Sequence, residues 1–422
     1  MTSTGQPSGT RVGFSTGGML LFRGLGQITT FAVWIILSRY LGPELFGRYN
    51  YLYGWIVIFA APLAPALNDL IVREALNRPD QRKLIFGVGS GLRLLLAAGA
   101  FIAVLIIVPS IRSDGHQFEA LLVLWAALGL FFSMAIPSWR YGLESFFQTD
   151  YRMDAAAGVN LLGRVVLLGI LSFGVLAGFD LEGIVGLQAI GESTATLFLI
   201  ILCLRMKYPV KPMFSAAEMR FQFRESIPLI GTEILVLAYT RLDILFLEFF
   251  RGEAAVGFFA APVRLVDAFQ LFVMVFIASA MPIYSRIVSD NSAYADSSEQ
   301  YRDVIRLSYK AMTVVALLIT VPLSVYARDV IELFYGSQYM ESVSVMVVAA
   351  WSIPFAFAVA VYRTLAVASH RQSYLPRMFI ILTVINIGLN CYLAPRYGAV
   401  GAAWAKVATY GILFPISIFS KD

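Results

Sequence analysis

The chain has 422 residues, of which 59% are hydrophobic and 14% charged, and its mean hydropathy is +0.74. Soluble domains carry about 25% charged residues, so the composition excludes an ordinary soluble domain and marks an integral membrane protein. The net charge of +5 comes from 32 Lys and Arg against 27 Asp and Glu, and it is met by anionic lipid without any nucleic-acid partner. The two cysteines, Cys203 and Cys391, sit far apart in apolar runs, and the two histidines, His116 and His370, fall in polar connections. That inventory supports neither a disulfide framework nor a metal-ligand cluster. No P-loop, HExxH motif or nucleophile elbow is present, so the expectation is a protein that is not an enzyme and needs no cofactor.

In lipid the backbone must satisfy its own polar groups, which leaves helices or a closed barrel. Barrel strands read as alternating segments of about ten residues, whereas these apolar runs are longer and do not alternate. The expected fold is therefore all-α, with about twelve transmembrane helices. Residues 1–12 are polar with a single Arg11, and no small-residue cleavage site closes the first apolar run, which reads as an uncleaved helix over 14–37. In it Arg23, Gln27 and Thr30 share a face by helical spacing. The polar hinge Leu37–Asn50, LSRYLGPELFGRYN, follows, with turn chemistry at Gly42-Pro43 and Gly47. The second span covers 48–71. The third, 84–109, contains Arg93 and the run Gly87-Val88-Gly89-Ser90-Gly91, read as small residues that let helices approach closely.

Spans at 118–139, 154–177 and 184–204 follow. Asn160 pairs with Arg164 on the fifth, and Gln188 with Glu192 on the sixth. The connector 205–225 is basic and amphipathic and is expected in the inner membrane interface. The seventh span, 226–249, holds Glu233, Arg241, Asp243 and Glu248. Arg241 and Asp243 are two residues apart and diverge by about 200°, so at least one should serve an inter-helix contact. A second hinge, Leu247–Ala260, repeats the first at a distance of 210 residues, with Gly252 matching Gly42 and Gly257 matching Gly47. Span eight, 256–280, contains Arg264 and Asp267 at i and i+3. Spans at 309–327 and 342–362 precede the eleventh, 376–394, where Thr383, Asn386 and Asn390 line one face, and the twelfth, 399–418, which contains Lys406. A second repeated feature, at a spacing of 215, matches Gly183 with Gly398 and Gly186 with Gly401. The repeats imply two six-helix lobes in parallel copies, 1–204 and 226–422, joined by 205–225. Placing both termini inside puts twenty Lys and Arg in inner segments against six in outer ones, the asymmetry that sets orientation.

Each charge within a span costs about 2.5–3.5 kcal/mol to insert, so each should face an aqueous cavity or a partner. The cations are Arg23, Arg93, Arg164, Arg241, Arg264 and Lys406; the acids well inside spans are Glu192, Glu233, Asp243 and Asp267. One reading is a cavity with excess positive charge built to hold an anion, since guanidinium offers phosphate a planar fork of donors. The acids then serve as ion-coupling groups or counter-ions. The other reading is a set of inter-helix ion pairs, for which Arg264 with Asp267 has suitable spacing.

The hinge LSRYLGPELFGRYN resembles the LGPxxFGxY signature that follows the first helix in bacterial polysaccharide flippases of the Wzx or O-antigen type. Glu332–Tyr339 (ELFYGSQY), Asn386–Leu393 (NIGLNCYL) and Arg396–Ala405 (RYGAVGAAWA) are similar to stretches of that family's second lobe. The resemblance covers almost the whole chain. It implies two six-helix lobes meeting in a V, as in the multidrug exporters and the lipid II flippase of the same superfamily. It also implies a bacterial inner-membrane transporter with both termini cytoplasmic, carrying a polyprenyl-diphosphate-linked oligosaccharide by alternating access. A glycan polymerase and chain-length machinery are the partners it suggests. The rivals are a multidrug or metabolite cation antiporter on the same fold and a membrane glycan polymerase; short outer connections speak against the polymerase.

Overall fold

The computed structural model describes residues 9–59, 66–107, 136–150, 152–208, 211–290, 299–369 and 375–419. Among them every long element is a helix. In chain order these are α1 (Gly9–Phe59), α2 (Ala66–Asn77), α3 (Arg82–Ile107), α4 (Ile136–Thr149), α5 (Met153–Leu176), α6 (Leu181–Arg205) and α7 (Ala216–Arg251). There follow α8 (Glu253–Ala268), α9 (Gln270–Asp290), α10 (Glu299–Val325), α11 (Ala327–Tyr335), α12 (Ser342–Ala350), α13 (Ser352–Ala368) and α14 (Leu375–Phe419). Eight helical stretches among the described residues are long and apolar enough to cross a membrane. Two of these contain a break, at Gly42 (φ 70°) in α1 and Gly398 (φ 56°) in α14, so that each carries two helical arms. The segment expected at 118–139 lies outside the described residues apart from its last four. The one expected at 226–249 forms most of α7. His116 and His370 also lie outside the described residues.

The chain divides into two compact units, residues 1–37 with 52–237, and 38–51 with 238–422. In the first, α5 and α6 approach closely through small residues. A Cβ on Gly163 would stand 2.7 Å from Ala195 Cα, and one on Gly191 would stand 2.5 Å from Leu167 Cδ1. The glycine run of α3 admits a helix at one glycine and the non-helical connector at another. A Cβ on Gly89 would stand 3.1 Å from Ile71 Cγ1 of α2; a Cβ on Gly87 would meet the Met213 side chain at 2.6 Å, and the Met213 amide donates to the Gly87 carbonyl at 2.8 Å. The connector is thus pinned to α3 rather than resting on lipid alone. Ionic contacts continue this anchorage: Arg78 pairs with Glu218 at 3.1 Å and with Glu74 at 3.1 Å. Hydrogen bonding to Glu218 is the largest of the influences that raise the Arg78 pKa. Nearby, Arg82 reaches Asp150 at 2.7 Å, and the Tyr208 hydroxyl donates to the same carboxylate. Burial, then that hydrogen bond, pushes the Tyr208 phenol upward.

In the second unit the two hinges lie against each other. A Cβ on Gly47 would overlap the Glu253 carbonyl and stand 2.8 Å from Gly257 N; a Cβ on Gly257 would overlap the Pro43 carbonyl and stand 2.6 Å from its carbon. Gly47 matches Gly257 and Pro43 matches Glu253 at the 210-residue spacing, so the two contacts are reciprocal. Gly42 and Gly252 also share one left-handed conformation, φ 70° and 81° with ψ near 180°. The second repeat has a different basis. Gly398 is left-handed, but Gly183 lies in the first turn of α6, where its amide is capped by Asp180 at 2.9 Å; the left-handed residue there is Gly178. The 215-residue match is therefore one of sequence and not of backbone conformation.

Two arginines within the hinges fasten further turns. Arg39 donates to the carbonyls of Leu333 and Phe334 (Nε–O 2.8 Å), three and two residues before left-handed Gly336. Arg251 donates to the carbonyls of Pro395 and Arg396 (the latter at 3.1 Å), three and two before Gly398. Each guanidinium thus serves carbonyls that a helix end leaves without intrahelical partners. Arg251→Ala should lower stability by about 1 kcal/mol, the scale of an exposed charge-assisted hydrogen bond. The thermal midpoint of purified protein checks this against Arg328→Ala.

Candidate functional site

The clearest cluster of membrane-depth charge lies in the second unit, where α7, α8 and α14 each contribute. Asp243 on α7 is buried and accepts hydrogen bonds from Asn390 Nδ2 at 2.7 Å and Asn386 Nδ2 at 3.0 Å. Asn386 also donates to Thr409 Oγ1 at 3.3 Å. The polar face expected along 383–390 is therefore real, and it turns toward α7 as a carboxylate cradle. Lys406 Nζ stands 3.2 Å from Asp267 Oδ1. Arg241 and Arg264 act on the same Asp267 electrostatically, as Lys406 does on Asp243. Three cations are thereby grouped with two carboxylates. Arg264 is further fixed by the first hinge: it donates to Asn50 Oδ1 at 3.0 Å, and the Asn50 amide nitrogen donates to the Phe46 carbonyl at 2.8 Å, which turns the oxygen toward the arginine. Of the diverging pair Arg241 and Asp243, it is Asp243 that makes the buried inter-helix contact, while Arg241 stays half-buried with its Nε lacking a hydrogen-bond partner.

The first unit places its three cations differently. Arg164 is exposed halfway along α5 and donates to Thr30 Oγ1 on α1. Arg23 is exposed on α1, two turns before Thr30. Arg93 is fully buried, with Asn68 Oδ1 3.4 Å away, and Ser145 donates to the same oxygen. Arg93 therefore presents no surface to a ligand in this conformation. Glu192 is half-buried on α6, and the side chain of Glu233 lies outside the described residues.

Sequence spacing alone missed two groups. Asn50 belongs to the hinge and carries no charge, so nothing in the pattern of charged residues marked it. Arg140 and Glu144 fall beyond the end of the fourth span at 118–139, so the search for charges within spans passes over both. The structure puts both in α4, 3.5 Å apart at their side-chain atoms, with Glu144 accepting from Asn160 Nδ2 at 2.8 Å. Their i, i+4 spacing was the signal available.

A family model described as polysaccharide biosynthesis protein matches residues 15–288. No curated protein matches the chain in sequence. Among solved structures it is similar to an inward-facing multidrug resistance MATE family transporter of the MOP superfamily (TM-score 0.75, 15% identity, 93% of this chain and 94% of that one). It is similar also to the lipid II flippase MurJ in an inward closed conformation (TM-score 0.76, 14% identity, 95% and 87%). A MOP superfamily transporter from Pyrococcus furiosus, described as having a binding pocket of reverse polarity, gives a TM-score of 0.67 at 15% identity over 97% and 94% of the two chains.

Proposed function

The chain belongs to the polysaccharide biosynthesis protein family, a multi-pass membrane protein with a transporter fold, and on that premise we propose that it carries a polyprenyl-diphosphate-linked oligosaccharide across the bacterial inner membrane. The observation that supports this most directly is cationic excess at membrane depth. Arg164 is exposed at the middle of a 24-residue apolar helix. A guanidinium facing hydrocarbon there carries a cost of several kcal/mol, so its exposed face belongs to water and not to lipid. Arg241, Arg264 and Lys406 likewise outnumber the two acids beside them. A diphosphate answers such groups, and guanidinium binds it through a fork of donors.

In this reading the two lobes alternate between an inward-open and an outward-open state, with the termini in the cytoplasm. The diphosphate and sugar ride on the cations, while the polyprenyl tail stays in lipid. Arg23, Arg164, Arg241, Arg264 and Lys406 are the substrate cations, and Arg93 holds α2, α3 and α4 together. Asp243, buried and held by two amides, is the acid best placed to exchange a coupling proton; Asp267 serves as counter-ion to Lys406. A drug exporter would centre its site on a carboxylate open to an organic cation, whereas Asp243 is closed in by Asn386 and Asn390.

The test is complementation of a strain lacking the gene. Arg164→Ala and Arg264→Ala, present in the membrane at normal level, should each lower surface glycan at least tenfold, the scale of one lost charge-assisted contact at about 1.5–3 kcal/mol. Full export by both variants would refute the proposal.

A further inference from the structure

α10 carries cations of its own, apart from the cluster around Asp267. Arg302, Arg306 and Lys310 recur at i, i+4 and i+8 over its first turns, and all three are exposed. Among the described residues none of the three has a hydrogen-bond or ion-pair partner. The start of α10 is held among two other helix ends. The Tyr284 hydroxyl of α9 donates to Ser308 Oγ at 2.6 Å, and Val304 packs against the apolar cluster of Tyr284 and Ala368. Further along, the helix has two faces. Met312, Ala316, Thr320 and Leu323 are buried, whereas Leu307, Val314, Leu318, Val321 and Val325 are 47–70% exposed. The second set forms one stripe at helical spacing, and an exposed apolar stripe on a membrane helix is the face that meets lipid. By helical rotation Arg302 lies about 130° from the middle of that stripe, Arg306 about 90° and Lys310 about 50°. The cations therefore wind onto the lipid face where its apolar part begins. Orientation in the membrane requires cations near a span end but on no particular face. Helix stability is not served either, because the dipole disfavours cations in the first turn. The exposed Asp303 stands nearer the helix start and leaves the cations in excess.

We propose that Arg306 and Lys310 bind the headgroup of an anionic phospholipid, whose acyl chains lie along the stripe from Leu307 to Val321. The two positions are one turn, about 6 Å, apart, so long side chains from both can converge on one phosphodiester. Arg306 supplies a planar fork of donors and Lys310 a point charge. Helical side chains lean toward the helix start, which carries the Lys310 ammonium back from hydrocarbon to headgroup depth. A zwitterionic phospholipid offers the same phosphate but brings a competing ammonium, so the site selects net negative charge. The site needs only the membrane fold and stands whether or not the carried substrate is a lipid-linked glycan.

The test titrates tail-labelled phosphatidylglycerol and phosphatidylcholine onto the purified full-length protein in neutral detergent. Wild type should hold phosphatidylglycerol about tenfold or more tighter than phosphatidylcholine. Each Lys or Arg beside an anionic lipid surface is worth about fivefold in affinity. Arg306→Gln/Lys310→Gln should therefore weaken phosphatidylglycerol about 25-fold. Asp303→Asn should tighten it, a gain that a folding defect cannot produce. Arg363→Gln/Arg377→Gln removes two exposed cations from the neighbouring ends of α13 and α14 and should leave the affinity unchanged. Equal affinity of wild type for the two lipids overturns the site, as does an unchanged affinity in Arg306→Gln/Lys310→Gln. Equal losses in the two double variants overturn it too, by reducing the attraction to a diffuse field. So does preferential retention of a polyprenyl diphosphate over phosphatidylglycerol, which would make the patch an entry point for substrate.

Discussion

Gly47→Ala should cost the folded protein about 3 kcal/mol, the upper end of the usual range for overpacking. The added methyl would overlap the Glu253 carbonyl and lie 2.7 Å from its carbon and 2.8 Å from Gly257 N. All three are backbone atoms near the start of α8, so no side-chain rotation relieves the clash. Gly257→Ala should do equal damage through Pro43. The double variant should cost less than the sum, because one separation of the hinges relieves both contacts. Gly169→Ala is the control: it sits in α5 with nothing within 4 Å of the new carbon, and alanine should stabilise the helix by up to about 1 kcal/mol. Thermal midpoints in detergent, with membrane levels alongside, read all four. If Gly47→Ala behaved like Gly169→Ala, the reciprocal packing of the hinges would be wrong.

Under the proposed function, neutralising Lys406 together with Asp267 should leave a folded protein whose glycan export is reduced about tenfold or more. Their side chains are 13% and 39% exposed and lie 3.2 Å apart. Replacing a partly buried ion pair by neutral residues is often nearly neutral for stability, whereas removing one partner strands the other charge. Lys406→Met/Asp267→Asn should therefore melt within about 1 kcal/mol of wild type, and Lys406→Met alone should be the less stable. Export by the double variant should nonetheless fall roughly tenfold or more, because the anion loses a charged donor. Export at the wild-type rate by the double variant would show that Lys406 exists only to balance Asp267.

The helical membrane fold was legible because composition and run length leave lipid-spanning helices as the only solution. The hinges were legible because left-handed backbone near Gly42 and Gly252 needs glycine, and the 210-residue repeat exposed the pair. What the repeat could not reveal is that the two copies touch one another, since reciprocity is a property of packing and not of pattern. Charge counting found Arg241, Arg264, Lys406, Asp243 and Asp267. It could not rank Arg93, fully buried, apart from Arg164, exposed, because both stand in apolar runs without a carboxylate one turn away. Neutral amides were hardest to value: Asn50 orients Arg264, and Asn386 and Asn390 hold Asp243. Spacing shows that such residues share a face but not which helix that face meets.

The fastenings made by Arg39 and Arg251 end on main-chain oxygens. Neither a guanidinium nor an amide carbonyl gains or loses a proton between acid and alkaline media. These two attachments should therefore persist when either side of the membrane is acidified. Any response of the protein to a proton gradient must therefore arise elsewhere, and in the mechanism proposed above it falls to carboxylates such as Asp243, with the turns at Gly336 and Gly398 unchanged.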